Sequence, residues 1–291
     1  MTPSCSNNTC SHYLQNDRVV KDGYYFRKDD SRLIARFKCS ACGKRFSHAT
    51  HSLEWRQKKR RVNQLLYKIL ASGVSMRRAA KILNINRTTV HRKLLYLAHK
   101  AKLEHNLFLQ QLRNNPVEYL QFDDLITIEH TKLKPLSITI AIDVKRRFIL
   151  GATVAKIPSF GHLAKLSVKK YGKRKNEHNK KLHELHGSLK PFILPTVIVE
   201  TDEHKLYPPV IQKFYPQATH KQYKGGRGAV VGQGELKKLN YDPLFKINHT
   251  CAMFRANINR LIRKTWCTTK SPEMLQKHVD LYIHFHNSSL I

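Results

Sequence analysis

The chain has 291 residues, with 53 Lys and Arg against 20 Asp and Glu, and its formal net charge is +33. A hydrophobic fraction of 41% excludes a disordered chain, and the length leaves room for about two domains. A surface this positive repels itself unless a polyanion is near, so DNA or RNA is the expected partner. No apolar run approaches the roughly 18 residues of a membrane span, no basic amphipathic terminus is present, and no membrane association is expected. The opening MTPSCSNNTC lacks a secretory signal's apolar core. A cytoplasmic protein is therefore expected, with its six cysteines as thiols or metal ligands rather than disulfides.

In chain order, Cys5 and Cys10 form one close pair and Cys39 and Cys42 a second, inside FKCSACGKRFS. Four thiolates from two such pairs can close a tetrahedron around Zn²⁺, with Gly43 turning the chain after the second pair. His12 is an alternative ligand in the first half. Tyr24 to Phe26 and Arg32 to Phe37 alternate as a small hairpin, which makes residues 1–55 a zinc ribbon.

The basic run RQKKRR opens a helical region, 56–116. Val62 to Ala71 carries Leu65, Leu66, Ile69 and Leu70 at one-face spacing. Ser75 is placed to cap Met76 to Leu83, with Ala79, Ala80, Ile82 and Leu83 inward. Asn84-Ile85-Asn86 breaks the pattern before a helix over Arg87 to Lys100. Helix, short turn, helix predicts a helix-turn-helix, whose third helix would offer Asn86, Arg87, Thr88, Thr89, His91 and Arg92 to the major groove. Arg and Asn read base edges, and Thr serves phosphates or methyl groups. A further helix over Leu103 to Arg113 ends at Asn114-Asn115-Pro116.

From Val117 the pattern becomes strands: QFDDLITIE (121–129), LSITIAID (136–143) and FILGATVA (148–155). Asp143 reads as a turn former. A polar helix is expected from Gly161 to about Leu189. Next come the apolar strand PTVIVET (195–201) ending in Asp202-Glu203, a helix from Tyr207, a glycine-rich loop, and helices over about His249 to Lys264 and Ser271 to His286. This predicts an α/β sheet with helices on its faces. Acids are scarce here, so Asp123 and Asp124 inside one apolar strand and Asp202 at the tip of another want a reason. At one sheet edge they can hold divalent cations between carboxylate oxygens, an arrangement suited to phosphoryl transfer. Cys251 and Cys267 read as buried thiols, and His278, His284 and His286 as exposed.

This order, together with NINRLIRKTWCTTK (257–270), CSACGKRFS and VETDEHKLYPPV, resembles bacterial insertion-sequence transposases of the DDE type over essentially the whole chain. The resemblance implies a small zinc ribbon, an all-α helix-turn-helix and, over 117–291, an α/β RNase H-like catalytic domain with a mixed sheet. It makes Asp123 the first metal-binding acid, with Asp124 as the reserve, and Asp202 the second. Where relatives hold Glu, this chain has Asn248, whose amide oxygen is a hard neutral ligand. Glu235 in the glycine-rich loop is the rival. Implied cofactors are Mg²⁺ or Mn²⁺ at the acids, beside Zn²⁺ in the ribbon. Lys224, Arg227, Arg255, Arg260, Arg263 and Lys264 are candidate phosphate contacts. The implied activity is cleavage and joining of double-stranded DNA at the element's ends by a homo-oligomer. The alternatives are a non-catalytic sequence-specific DNA-binding protein (a repressor or decayed transposase) and a structure-specific nuclease.

Overall fold

The computed structural model describes residues 3–224, 242–262 and 265–290. Contacts divide the chain into two units, Met1–Leu66 and Tyr67–Ile291. The first holds an antiparallel sheet of β1 (Val19–Arg27), β2 (Arg32–Cys39) and β3 (Arg45–Phe46). Asp22 on β1 binds Arg36 Nε at 3.0 Å and Arg45 Nε at 2.8 Å, which ties the three strands together. Among the described residues its buried apolar cluster is Cys5, Phe37, Cys39 and Phe46, with Val19 and Ala35 packed against it. A core that small is of the kind that a structural metal commonly supplements.

The helical region begins with α1 (Asn63–Ala71), then α2 (Met76–Ile82) and α3 (Arg87–Gln111). Ser75 caps α2 as expected, its Oγ accepting from Arg78 N at 3.3 Å. The inward residues are Leu66, Leu70, Ala79 and Ala80, whereas Leu65 and Ile82 are exposed. One-face spacing fixed the stripe but not its edges. The break expected between Lys100 and Leu103 does not occur. Lys100-Ala101-Lys102 contains no breaker, and α3 continues as one 25-residue helix with Val90, Leu94, Leu97, Ala98, Ala101, His105 and Leu109 buried along it. Its later turns pack on the last helix, α8 (Pro272–Ser288).

The large unit is built on a five-stranded mixed sheet, order β6-β5-β4-β7-β8. β4 (Val117–Ile128), β5 (Pro135–Asp143) and β6 (Ile149–Lys156) form the antiparallel meander. β7 (Ile193–Asp202) joins β4 in parallel, and β8 (Thr219–Tyr223), which the sequence pattern did not announce, joins β7 in parallel. Every residue of β5 is buried, as suits a strand covered on both faces. Asp143 ends it as a turn former, its Oδ1 accepting from the backbone N–H groups of Lys145 and Arg146.

The expected helix from Gly161 to Leu189 is two, α4 (Leu163–Tyr171) and α5 (His178–Leu189). Gly172, at φ +77°, ends the first in a conformation that other residues resist. α6 covers Tyr207–Phe214 and α7 covers Phe245–Asn257. α7 stops short of the expected Lys264 because Ile258 is extended (φ −100°, ψ 104°) and a short 3-10 turn follows over Asn259–Leu261. Alternation along β4 separates two cores. Leu120 and Phe122 face Leu182, Leu185, Tyr207 and Val210, on the side of α5 and α6. Leu125 faces Ile247, Phe254, Leu275 and Val279, on the side of α7 and α8. Among the described residues no helix is long and apolar enough to cross a membrane.

Candidate active site

In the ribbon, the thiols of Cys5, Cys10, Cys39 and Cys42 all lie within 4.8 Å of one another, and Cys5 Sγ is 3.8 Å from Cys42 Sγ. Four thiols at this spacing are a set able to hold zinc. Gly43, at φ +71°, turns the second pair, and Cys39 N donates to Lys44 O across the turn at 3.0 Å. Burial pushes the Cys5 thiol up to about 12, while the Lys44 N–H draws Cys42 down to about 6. His12 lies outside this group and pairs instead with Asp17, Nδ1 to Oδ2 at 3.1 Å.

In the large unit, register decides what meets. β4 and β7 run in parallel with Gln121 opposite Glu200, so two residues further on, at the same pleat, come Asp123 and Asp202. Both strands send these pairs to the α7 side. Gln121 and Glu200 are buried and joined, Nε2 to Oε2 at 2.8 Å, and Tyr223 OH donates to the other Glu200 oxygen at 2.9 Å. Gln121 then holds the start of α7: its Oε1 accepts from Ile247 N at 3.1 Å and its Nε2 donates to Pro243 O at 2.9 Å. Asn248, Cys251 and Arg255 follow at helical spacing on one stripe of α7. Asn248 is exposed, and its Nδ2 donates to Asp242 Oδ2 at 3.0 Å.

The electrostatics match that placement. Asp123 is pushed up to about 7, first by burial and then by the negative charges of Asp202 and Asp124, against the pull of its hydrogen bond from Asp124 N and of Arg255. Two carboxylates repelling each other in a half-buried site are a set that a divalent cation would relieve. Asp202 Oδ1 accepts from His204 N at 3.0 Å, which shapes the turn leaving β7. Cys251 beside them is a buried thiol pushed up to about 12 by burial, as the sequence led one to expect of it and of Cys267.

Asp124 faces the other way. Its Oδ1 accepts from Ser137 Oγ at 2.8 Å and Thr139 Oγ1 at 2.5 Å on β5. Its Oδ2 accepts from Tyr207 OH at 2.8 Å and lies 2.7 Å from His178 Nε2. Burial would raise this carboxyl, but His178 and the two hydroxyls hold it below the usual carboxylate range.

The remaining predicted residues are placed as follows. Asn86 caps α3, its Oδ1 accepting from Thr88 N at 2.8 Å, so this oxygen serves the helix rather than a base. Arg87, Thr88, His91 and Arg92 are exposed on the first turns of α3, and Thr89 is half-buried. Arg260 is half-buried, and burial lowers its pKa. Glu235, Arg227, Arg263 and Lys264 lie outside the described residues. His278 is buried rather than exposed, and burial pushes it down to about 4. His284 is partly covered, with Nδ1 2.7 Å from Tyr67 OH. His286 is partly covered too, with Nε2 3.2 Å from Arg147 O. Sequence reasoning missed Gln121, Glu200 and Asp242; a polar residue at an inward strand position is the signal that marks the first two. No family model matches the chain, and no curated protein matches it.

Proposed function

We propose that the protein is a metal-dependent DNA transposase with an RNase H-like catalytic domain, in which Asp123, Asp202 and Asn248 hold Mg²⁺ or Mn²⁺. The observation that carries this reading is the β4–β7 register, which sets two carboxylates level on neighbouring central strands, on the sheet face that α7 covers. A meander bearing the first acid, a later parallel strand bearing the second and a covering helix bearing the third is the arrangement expected of such domains. The raised Asp123 fits a site that becomes stable only with cations bound.

When bound, the metal ions supply Lewis-acid stabilisation of the transferring phosphate. The chain's own residues do the rest. Asp123 and Asp202 would supply anionic oxygens to the ions, and Asn248 would add a neutral amide oxygen. Gln121 and Glu200 keep α7 in register with the strands, and Arg255 balances part of the carboxylate charge. The exposed first turns of α3 are the surface proposed to read DNA, and the net charge of +33 supports backbone binding. Zn²⁺ in the four-cysteine site completes the ribbon. A homo-oligomer that holds two DNA ends follows from the chemistry of transposition.

The test is cleavage and strand transfer on a duplex carrying the sequences that flank the coding region, with Mg²⁺ or Mn²⁺. The intact protein is expected to cut, and Asp202→Ala and Asn248→Ala to bind without cutting. Cleavage that survives Asn248→Ala moves the third ligand to Glu235. Tight binding without cleavage by the intact protein replaces the reading with a non-catalytic DNA-binding protein, and cleavage without joining of pre-cut ends replaces it with a nuclease.

A further inference from the structure

On the opposite face of β4 from Asp123, three chain segments bring a different ligand set together. Asp124 comes from β4, His178 is the first residue of α5, and His204 stands on the exposed turn between β7 and α6. One carboxylate oxygen and one ring nitrogen from each histidine lie within 4.8 Å of one another. The two imidazole rings meet edge to face at 5.5 Å.

Two features distinguish this cluster from an ordinary buried hydrogen-bond network. His178 is 6% exposed and its Nε2 lies 2.7 Å from Asp124 Oδ2, a close ion-pair contact in which Nε2 makes no hydrogen bond of regular geometry. A buried imidazole nitrogen beside a carboxylate without a regular hydrogen bond to it leaves its lone pair for a partner that both groups can share. Asp124 is also already oriented. Ser137 and Thr139 hold its Oδ1, so that Oδ2 is presented toward the histidines with Tyr207 OH alongside. Hydrogen bonds of this kind behind a ligating carboxylate are what fix a metal ligand's direction.

We propose that Asp124, His178 and His204 form a second divalent-metal site in the large unit, selective for a borderline transition metal such as Zn²⁺ or Co²⁺. Two imidazoles and one carboxylate suit such ions, whereas Mg²⁺ prefers an all-oxygen shell. Three protein ligands leave a fourth position for water. If His204 binds through Nε2, its Nδ1 carries the proton and gives up only the long 3.3 Å contact from Leu206 N. The ion ties the turn that follows Asp202 to β4 and α5. Its binding does not depend on the proposed transposase activity, since none of its ligands belongs to the Asp123, Asp202 and Asn248 set.

The experiment is titration of the metal-stripped full chain with Co²⁺ in excess Mg²⁺, which occupies oxygen-only sites. Absorption is read in the near ultraviolet for thiolate charge transfer and in the visible for ligand-field bands. The intact protein is expected to take up two equivalents, one with thiolate charge transfer and one without. His204→Ala and His178→Gln are each expected to lose the second equivalent and keep the first, while Cys39→Ser does the reverse. Circular dichroism verifies the fold of each variant, and His204, on an exposed turn, tolerates replacement if His178 does not. A single thiolate-bound equivalent in the intact protein overturns the proposal, as does a second equivalent that survives His204→Ala.

Discussion

Asp123 and Asp124 are chain neighbours whose carboxyl groups face opposite sides of one strand. The pleat of β4 sends Asp123 toward α7, where burial and the charges of Asp202 and Asp124, against that of Arg255, hold its proton up to about 7. Asp124 goes toward α5 and α6, where two hydroxyls, a phenol and an imidazole surround it and its proton is lost more readily than usual. One carboxylate is under-compensated by protein and the other is saturated by it. Under-compensation is what a hard-cation catalytic site needs before its ions arrive, and saturation is what a structural anchor or a pre-oriented ligand needs. Identity and sequence position do not separate the two residues; the face of the strand does.

Breaking the Asp123 side is expected to have the largest effect. Asp123→Ala or Asp202→Ala should lower the proposed metal-dependent DNA cleavage by about a thousandfold or more, roughly 4 kcal/mol of barrier, with DNA affinity retained. Cleavage assays paired with gel-shift titrations read both quantities.

Breaking the Asp124 side should act on stability first. Asp124→Ala removes the acceptor of Ser137, Thr139 and Tyr207 and should cost about 2–4 kcal/mol in denaturant unfolding. Because its folded pKa lies below the ordinary value, that contribution is fully present above about pH 4 and lost as pH falls through the lowered folded value.

The sign reverses for the neighbour. Asp123→Asn should stabilise the metal-free protein at pH 8 by about 1–3 kcal/mol, since a folded pKa raised to about 7 penalises the charged form. The gain should shrink as pH falls from 7 toward 4 and vanish below it. Thermal unfolding across that range checks it, and an unchanged melting temperature at pH 8 would remove the electrostatic contrast between the two residues.

The smallest expected effect sharpens the same contrast. Arg255→Met removes a charge that lowers the Asp123 pKa, so the pH midpoint of Mg²⁺ binding should move upward by about a few tenths of a unit. The stability of Asp124-side contacts should not change. Calorimetric Mg²⁺ titrations at several pH values read the midpoint.

Much of this was legible along the chain. The cysteine pairs, the Ser75 cap and the alternation of the meander depend on neighbours a few residues away, and local spacing carries them. Where the reading failed, the cause lay at longer range or in weak local signals. β8 is a short, largely exposed strand, so its composition has no inward face to announce it. The helix expected to Leu189 was split by one glycine, and Ile258 ended α7 without a proline or glycine to mark the stop.

The sequence by itself determined that two acids stand in apolar strands, that four cysteines come in close pairs, and that a basic chain carries helix-turn-helix spacing. Only the tertiary structure decided which face each carboxylate takes and what it meets there. Strand parity makes neighbouring residues diverge, but the register of β4 against β7, the seating of α7 on Gln121 and the arrival of His178 and Tyr207 from distant segments give each face its chemistry. Those are long-range packing choices, set by burial of the two apolar cores rather than by any residue pattern near Asp123.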